Sequence, residues 1–359
     1  MEDLVNPWQG LRVFLTGHTG FKGGWLSLWL ASRGAQVRGY ALDPGTEPNL
    51  FTTARIESVV EDVRGDILDF AKLQSAMAEF RPDAVFHLAA QPLVRRSYTD
   101  PLGTYASNVM GTANLLEAVR MVSTVRAVLC VTTDKCYLNR EWVWPYRETD
   151  SLGGHDPYSS SKACAEMVAA AYRDSYFPVD RLAQHRVAIA TARAGNVIGG
   201  GDWSEDRLLP DLIRGFQAGE PVLIRHPQAI RPWQHVLEPL AGYIALAERL
   251  LDGASKVATA FNFGPGDDDT WPVDRIATKL SGLWGEGASW VPDAAPTVHE
   301  AATLKLDSSL ARNLLHWRPR LTIEAALDWA LEWYRAAQQM KDMHRFTMEQ
   351  ITRYETLLN

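Results

Sequence analysis

The fold of this chain is indicated first by residues 11–23, Leu-Arg-Val-Phe-Leu-Thr-Gly-His-Thr-Gly-Phe-Lys-Gly. The first six are mostly apolar and predict a short buried strand. Gly17, Gly20 and Gly23 follow that strand and precede an apolar pattern of helical spacing over residues 25–31. Glycines at such a strand-to-helix turn let a pyrophosphate approach the backbone N–H groups at the helix N-terminus. The segment therefore predicts a dinucleotide-binding βαβ unit.

Strand and helix patterns alternate from this segment to residue 193. Apolar runs predict six strands, over residues 11–16, 36–42, 58–61, 83–88, 126–131 and 187–190. Helical patterns lie between them, and two clear ones cover residues 108–122 and 158–172. This alternation is typical of a parallel sheet with helices on both faces. We predict an α/β fold, with a doubly wound, parallel-sheet Rossmann domain over residues 1–193.

The pattern changes after residue 193. Three consecutive glycines at 199–201 and four prolines between 210 and 232 separate shorter elements, and a helical pattern returns over residues 321–338. We predict that residues 194–359 form a smaller C-terminal α/β lobe that mainly binds substrate. Some of this chain is expected to cross back to the first domain.

Composition argues against several classes of protein. The 359 residues carry a net charge of −7, whereas a nucleic-acid-binding surface is basic. No apolar stretch approaches the roughly 20 residues of a membrane span, and the N-terminal residues lack the features of a signal peptide. The three cysteines have no metal-like spacing. We expect a reduced cytoplasmic protein without a bound metal and without a nucleic-acid or membrane partner.

Charged residues near the glycine segment suggest further cofactor contacts. Asp43 ends the second predicted strand about 20 residues after Gly23, where a carboxylate accepts hydrogen bonds from the adenosine ribose. A carboxylate there repels a 2′-phosphate, so NAD is favoured over NADP, and a simple turn residue is the alternative. Asp66 could contact the adenine or cap the following helix. Lys22 could reach a phosphate, and a solvated loop lysine is the alternative.

Tyr158 and Lys162 lie one helical turn apart on one face of a predicted helix. A free tyrosine has a pKa near 10, and a neighbouring lysine together with the positive nicotinamide ring lowers it. A Tyr158 phenolate could then take the proton of a substrate hydroxyl while the carbon is oxidised. An ordinary exposed helix face is the alternative interpretation of this pair.

Thr133, Asp134 and Lys135 place a hydroxyl, an acid and an amine at the end of the fifth predicted strand. A simple dehydrogenase or epimerase needs only the hydroxyl beside Tyr158, so the acid and the amine suggest an elimination. One would take a proton beside a new ketone, and the other would protonate a departing hydroxyl. For both to reach one substrate, the strand must end or twist here. A solvated acid–amine pair is the alternative.

These motifs resemble those of the extended short-chain dehydrogenases/reductases, and within them the CDP-glucose 4,6-dehydratase family. The resemblance extends from about residue 10 to the C-terminal helix. It is carried by Gly-His-Thr-Gly-Phe-Lys-Gly (17–23), Thr-Asp-Lys-Cys-Tyr (133–137), His-Leu-Ala-Ala-Gln (87–91), Asn-Val-Met-Gly-Thr (108–112), Arg-Ala-Gly-Asn-Val (193–197) and Arg-Pro-Trp-Gln-His-Val (231–236). The related dTDP-glucose and GDP-mannose dehydratases carry a glutamate where Lys135 stands.

The resemblance implies a lyase that uses NAD to convert CDP-glucose to CDP-4-keto-6-deoxyglucose and water. It implies that Tyr158, assisted by Lys162 and Thr133, deprotonates the C4 hydroxyl. Lys135 would remove the C5 proton and Asp134 would protonate the C6 hydroxyl. These roles require a partly neutral Lys135 and a partly protonated Asp134. A dehydratase or epimerase for a dTDP- or GDP-linked sugar is the alternative, and a non-catalytic NAD-binding protein is a more distant one.

The resemblance also implies the remaining site residues and the assembly. Together with the residues above, the predicted cofactor site comprises Gly17, His18, Gly20, Phe21, Lys22, Gly23, Asp43, Asp66, Ile67, Ala89, Asn108, Tyr158 and Lys162. Asn196 and Arg231 are expected to contact the substrate diphosphate, and the nucleotide wall is expected to contain Trp203, Arg207 and Leu209. We expect a homodimer or homotetramer that pairs through helices 108–122 and 158–172.

Overall fold

A computed structural model describes residues 6–293 and 301–358. The strands of this part of the chain are β1 (Arg12–Thr16), β2 (Gln36–Ala41), β3 (Glu61–Arg64), β4 (Ala84–His87), β5 (Ala127–Val131), β6 (Ala188–Ala194), β7 (Asn196–Ile198), β8 (Val222–Ile224), β9 (Ile230–His235), β10 (Ala260–Phe263), β11 (Thr270–Pro272) and β12 (Trp290–Pro292). The first helices are α1 (Phe21–Ser32), α2 (Leu50–Thr53), α3 (Phe70–Phe80), α4 (Val94–Thr99), α5 (Pro101–Tyr105), α6 (Gly111–Met121) and α7 (Pro157–Ser175). The later helices are α8 (Leu182–His185), α9 (Leu208–Ala218), α10 (Leu237–Leu251), α11 (Val273–Trp284), α12 (Ser309–Leu314), α13 (Ile323–Gln338) and α14 (Met343–Leu358).

Seven parallel strands form the central sheet in the order β10-β6-β5-β4-β1-β2-β3. The predicted doubly wound α/β fold is therefore confirmed. Strands β4, β5 and β6 are buried along their whole length, which explains the apolar runs in the sequence. Strand β6 extends beyond the predicted residues 187–190 because buried Thr191 and Arg193 interrupt its apolar run. The strand order reverses between β1 and β4, and ligands of such sheets bind in the crevice outside the carboxyl ends at that point.

The third strand lies later than predicted. Residues 58–61 were expected to form it, whereas β3 covers Glu61–Arg64 at the edge of the sheet. Its four residues are exposed or half-buried, so no apolar run marks the strand in the sequence. An edge strand covered on fewer sides needs fewer apolar side chains, which is why the pattern is weak there.

The C-terminal part of the chain contributes to both lobes. Strand β9 pairs in parallel with β7 and antiparallel with β11, while β8 pairs with β12, and these short strands lie outside the central sheet. Helix α10 then packs against β5 and β6, and β10 pairs in parallel with β6. Helix α10 and strand β10 therefore cross back to the first domain. The sequence predicts such a crossing but does not indicate which residues form it.

Two apolar cores cover the faces of the central sheet. On one face, Phe14 and Val128 pack in the same cluster as Leu115 of α6, beneath α3, α6 and α7. On the other face, Leu129 belongs to the cluster that contains residues of α1, α10 and the C-terminal helices α13 and α14. Within the described ranges, no helix combines the length and apolar character required to cross a bilayer.

Candidate active site

A cleft of about 1900 Å³ opens at the carboxyl ends of the central strands. Its floor is formed by the glycine segment, the loop after β4, the end of β5 and the start of α7, and its outer wall by residues 195–231 with Ala301 and Leu304. A single drug-sized ligand occupies a pocket of roughly 300–1,000 Å³. The cleft is therefore large enough for a dinucleotide and a second ligand together.

The glycine segment brings two backbone loops close together. Gly17 has a φ of +81°, and a Cβ there would lie 2.7 Å from the backbone nitrogen of Ala89. A Cβ on Gly23 would lie 2.1 Å from the carbonyl oxygen of Gly17. Gly20 precedes α1 and provides no side-chain cap, so the first N–H groups of the helix remain for a ligand. This arrangement fits the pyrophosphate of a dinucleotide.

The two acids predicted to contact the cofactor, Asp43 and Asp66, line the cleft. Asp43 has a side chain that is 89% exposed, and its nearest cation is Arg64, at 3.7 Å. Asp66 accepts a hydrogen bond from the Leu68 backbone at 2.9 Å and so caps a turn, not the helix of the alternative interpretation. The N-cap of α3 itself is Asp69. Phe21, Lys22, Ile67 and Ala89 also line the cleft.

Two predicted cofactor residues lie behind the cleft wall rather than on it. His18 is buried, and its ring bonds to Asp62 at 2.8 Å in space left by the absence of a Cβ on Gly39. Asn108 is buried and bonds to both backbone groups of Gln91 and to Ser161. Neither side chain lines the cleft. In this structure both side chains support the loops that face the cleft, and their contact with a cofactor stays a prediction.

The end of β5 brings an acid and an amine into the same cleft. The strand stops at Val131, and a 3-10 turn covers Asp134–Cys136. Because the chain leaves the two-residue alternation of a strand, Asp134 and Lys135 both line the cleft. Burial raises the pKa of Asp134, although Lys135 and a hydrogen bond from Thr133 oppose that rise. A raised pKa favours the neutral form, which is the form that donates a proton.

Tyr158 and Lys162 reach the cleft from the first turns of α7. Asp156 caps this helix by accepting a hydrogen bond from the Ser159 backbone at 2.9 Å, which fixes where the helix begins. Lys162 donates to the carbonyl oxygen of Val131 at 3.2 Å. Thr133 donates a hydrogen bond to Oδ1 of Asp134 at 3.0 Å, and its hydroxyl partly offsets the effect of burial on the pKa of Tyr158.

The expected lowering of the Tyr158 pKa by protein groups is wrong. Burial raises the pKa of Tyr158 to about 12, and the hydrogen bond with Thr133 and the charge of Arg207 offset only part of this rise. Burial also lowers the pKa of Lys162 to about 8. The sequence shows the neighbouring charges but not the depth at which they are buried, and here desolvation outweighs them.

Lys22 is half-buried in the cleft, near two cations and near the carboxylates of Asp134 and Asp202. Burial lowers its pKa to about 7, and the charges of Arg207 and Lys162 lower it further. An amine in such surroundings is stabilised by an anionic ligand. This position supports the phosphate interpretation of Lys22 over that of a solvated loop lysine.

A buried ion pair behind the predicted catalytic residues was missed by the sequence analysis. Glu166 lies one helical turn after Lys162 and bonds to Arg193 of β6 at 2.7 Å. Glu166 also accepts hydrogen bonds from the hydroxyls of Thr132 and Thr191. These contacts join α7 to the ends of β5 and β6. The four-residue spacing of Tyr158, Lys162 and Glu166 is the sequence signal that could have revealed the stripe.

The predicted substrate residues all line the outer part of the cleft. Arg231 lies in β9 and is buried, and Asn196 begins β7. Arg207 bonds to Asp202 at 2.8 Å, and the ring of Trp203 meets that of Tyr334 edge to face. Leu209 is buried in the first turn of α9.

A second group of charges spans the mouth of the cleft and was also missed. Asp206 Oδ1 lies 2.7 Å from a guanidinium nitrogen of Arg95 and 3.1 Å from one of Arg225. Arg95 belongs to α4, whereas Arg225 follows β8, which lies outside the central sheet. Asp206 itself adopts a φ of +59°. These residues meet only through the fold, so no local pattern marks them.

Comparison with known proteins identifies the relatives of this chain. Residues 13–264 match the NAD dependent epimerase/dehydratase family. The chain is 53% identical over 349 residues to the CDP-glucose 4,6-dehydratase of Salmonella typhimurium, covering 97% of each protein. It is 28% identical to the dTDP-glucose 4,6-dehydratase of Xanthomonas campestris, covering 89% of this chain and 92% of that protein.

Solved structures show the same fold. An epimerase from Methanothermobacter thermautotrophicus superposes with a TM-score of 0.80 at 24% identity, covering 93% of this chain and 95% of that one. The dTDP-glucose 4,6-dehydratase of Bacillus anthracis, solved in complex with NAD, superposes with a TM-score of 0.75 at 20% identity, covering 93% and 100%.

Proposed function

This chain belongs to the NAD-dependent epimerase/dehydratase family, and from that premise we propose that it converts CDP-glucose to CDP-4-keto-6-deoxyglucose and water. The observation that carries the proposal is the meeting of Thr133, Asp134, Lys135 and Tyr158 in one cleft. An epimerase or a simple reductase has no use for the acid and the amine. The identity to a CDP-glucose 4,6-dehydratase supports the choice of substrate.

The residues that would hold NAD belong to the first lobe. The N-terminus of α1 with Gly17, Gly20 and Gly23 fits the pyrophosphate, and Asp43 fits the adenosine ribose. Lys22 adds a cation beside the pyrophosphate. When bound there, NAD supplies the hydride acceptor for sugar C4 and later the hydride donor for C6.

Oxidation begins with proton transfer to Tyr158. The side chain takes the proton of the C4 hydroxyl in its phenolate form, which Thr133 stabilises through its hydrogen bond. Burial disfavours that form, so positive charge beside the ring is required. Lys162, one helical turn away, and the cationic cofactor ring provide it.

Elimination then uses the two side chains at the end of β5. The C4 ketone makes the C5 proton acidic, and Lys135 removes it as general base. Asp134 donates its proton to the C6 hydroxyl, which departs as water. The raised pKa of Asp134 matches this role, because the acid must be protonated at neutral pH. Lys135 finally returns a proton to C5.

The substrate diphosphate is assigned to the cationic outer wall. Arg231 offers a planar fork of donors that matches phosphate oxygens, and Asn196 lies at the start of β7 in the same wall. Trp203, Arg207 and Leu209 would line the nucleotide. Lys22 and Arg207 add positive charge beside the catalytic groups, which suits a site that binds two anionic ligands.

The finer statements on assembly and location belong to the same proposal. Several apolar side chains on the helices predicted to pair are exposed in the single chain, namely Met110, Met121 and Met167. A homodimer or homotetramer that buries them would remove this exposure. The free thiols of Cys130, Cys136 and Cys164 fit a reducing compartment, and we propose that the enzyme acts in the cytoplasm.

The test is incubation of the protein with NAD and, separately, CDP-glucose, dTDP-glucose or a GDP-linked sugar. We expect a product lighter by one water from CDP-glucose, with the alkali-induced absorbance of a 4-keto sugar and no net NADH. Product from another nucleotide sugar alone would retain the chemistry and overturn the assignment of the base. Net NADH, or an isomer of unchanged mass, would overturn the elimination.

A further inference from the structure

Arg64 lies beside Asp43, the acid assigned to the adenosine ribose. Arg64 ends β3, and the parallel register pairs it with Ala41 at the end of β2. Asp43 follows Ala41 by two residues and lines the cleft, whereas Arg64 stands behind that lining. Both charged side chains are therefore at the carboxyl edge of the sheet, where a dinucleotide of this fold places its ribose.

Each nitrogen of the Arg64 guanidinium faces a different acceptor. One terminal nitrogen bonds to Oδ2 of Asp62 at 2.9 Å, and the other donates to the carbonyl oxygen of Leu42 at 3.1 Å. The third nitrogen, Nε, lies 3.7 Å from Oδ1 of Asp43. That distance is longer than a hydrogen bond, so Arg64 acts on Asp43 through its charge.

The arginine is held in place by groups other than Asp43. Its guanidinium carbon lies 4.6 Å from the ring centre of Phe51, and the buried ring of His18 bonds to Oδ1 of Asp62 at 2.8 Å. The side chain of Asp43 is 89% exposed, whereas those of Arg64 and Asp62 are 33% and 25% exposed. Asp43 is therefore free to turn toward a ligand while the positive charge of Arg64 stays in position.

The two charges have opposite effects on a phosphate at the ribose. The 2′-hydroxyl of NAD donates a hydrogen bond to a carboxylate. The 2′-phosphate of NADP carries about −1.5 to −2 charges at pH 7, so a carboxylate repels it and a nearby arginine accommodates it. In this chain, the repelling acid and a suitable cation stand side by side.

We propose that Arg64 sets the selectivity between NAD and NADP, as an anchored cation that offsets the repulsion of a 2′-phosphate by Asp43. The inference rests on the proposed position of the ribose at Asp43. The unmodified protein should then bind NADP better than its carboxylate alone would allow. Loss of the carboxylate should turn this position into a site for a 2′-phosphate, because the cation is already in place.

The test is a double-mutant cycle of cofactor binding. The dissociation constants of NAD and NADP are measured by titration calorimetry on the full chain freed of cofactor, at low and at high salt. The variants are Asp43→Asn, Arg64→Met and the two combined. Arg55→Met is the matched control, because it removes an arginine that pairs with Asp342 outside the cleft. Thermal unfolding checks that each variant is folded, and Arg64→Gln replaces the methionine variant if that one does not fold.

The deciding quantity is the dissociation constant of NADP divided by that of NAD. We expect Asp43→Asn to lower this ratio roughly tenfold or more, since the phosphate no longer meets a carboxylate. Arg64→Met should raise it roughly three- to fivefold, as expected for a partly exposed charge, and by more in the Asp43→Asn background, where a phosphate can approach the cation. High salt should shrink these changes, and Arg55→Met should leave the ratio as it is.

Equal weakening of both cofactors by Arg64→Met would show that the arginine only supports the sheet edge, and would overturn the proposal. A gain of NADP affinity in Asp43→Asn that is the same without Arg64, or that high salt does not reduce, would overturn it as well. If Asp43→Asn changes neither the NAD affinity nor the ratio, the ribose does not lie at Asp43, and the proposed cofactor site fails together with this inference. Because the readout is binding, these results do not depend on the dehydration of CDP-glucose.

Discussion

The two walls of the cleft hold their charged residues in different ways. On the inner wall, Lys162 and Asp134 are buried, and Glu166 pairs with Arg193 beneath them at 2.7 Å. On the outer wall, Asp206 pairs with Arg95 and Arg225 where all three remain partly exposed. Buried charges are costly to misplace, whereas exposed pairs contribute little to stability. The proposed bond-breaking residues thus lie on the rigid wall, and the proposed recognition of phosphate on the wall that can adjust.

We expect the largest effect, on the rate of product formation, when Asp134 of the inner wall is changed. Asp134→Asn keeps the shape of the side chain but removes the proton donor, so formation of the 4-keto-6-deoxy product should slow by ~10²–10⁴-fold. Oxidation at C4 should persist, so reduced cofactor should accumulate up to one equivalent per site. Rapid-quench product analysis with cofactor absorbance measures both. Asp206→Asn, the matched change on the outer wall, should slow the reaction far less.

The next largest effect is expected on the free energy of unfolding, when the Glu166–Arg193 pair beneath the proposed catalytic residues is broken. Arg193→Met leaves Glu166 as an unpaired buried charge and should cost about 3–5 kcal/mol of the free energy of unfolding. The same change on the outer wall, Arg225→Met, should cost no more than about 1 kcal/mol. Urea unfolding followed by circular dichroism gives both values. Equal losses in the two variants would contradict the distinction between the walls.

The walls should also differ in the pH range over which they affect stability. Burial lowers the pKa of Lys162 to about 8, whereas an unfolded lysine titrates near 10.4. Between these values the unfolded chain binds the extra proton, so stability from this group rises with pH. Lys162→Met removes this contribution, so from pH 8 to 10 the urea midpoint of the variant should gain less, or lose more, than that of the unmodified protein.

The charged residues of the outer wall should instead affect stability at acidic pH. Despite some desolvation, Arg95 and Arg225 lower the pKa of Asp206. Its contribution is present above the unfolded pKa of about 3.9 and is lost as the pH falls through the folded value. Asp206→Asn should therefore leave the alkaline range as in the unmodified protein. A change there in the asparagine variant would contradict the assignment of the two ranges.

The smallest effect is expected on ligand affinity, when Asp206 at the mouth of the cleft is changed. Asp206→Asn removes a negative charge that competes with the diphosphate, which is assigned to Arg231, for the positive potential of Arg95 and Arg225. We expect CDP to bind severalfold more tightly, with a steeper dependence on salt, since exposed charges are screened. Titration calorimetry at two salt concentrations measures this. Weaker binding would mean that the carboxylate positions the arginines for the ligand rather than competing with it.

Sequence reasoning succeeded where neighbours in space are also neighbours in the chain. The glycine segment forms a single turn, and Tyr158 and Lys162 are one helical turn apart. Both features are local, so the sequence shows them directly. The partners of Glu166 and Asp206 come from distant strands and helices, so only the fold reveals them. The direction of the Tyr158 pKa shift was missed for the same reason, because burial is a property of the whole cleft.

The position of β10 has a consequence for how the protein can be made. Strand β6 receives its outer neighbour only when residues 260–263 are present, long after the glycine segment has left the ribosome. Until then, a strand that is wholly buried in the finished fold remains at the edge of an unfinished sheet, where it can pair with another chain. A fragment that ends near residue 193 would keep the glycine loop and yet be prone to aggregate. The nascent chain therefore depends on residues far beyond the glycine segment to complete the central sheet.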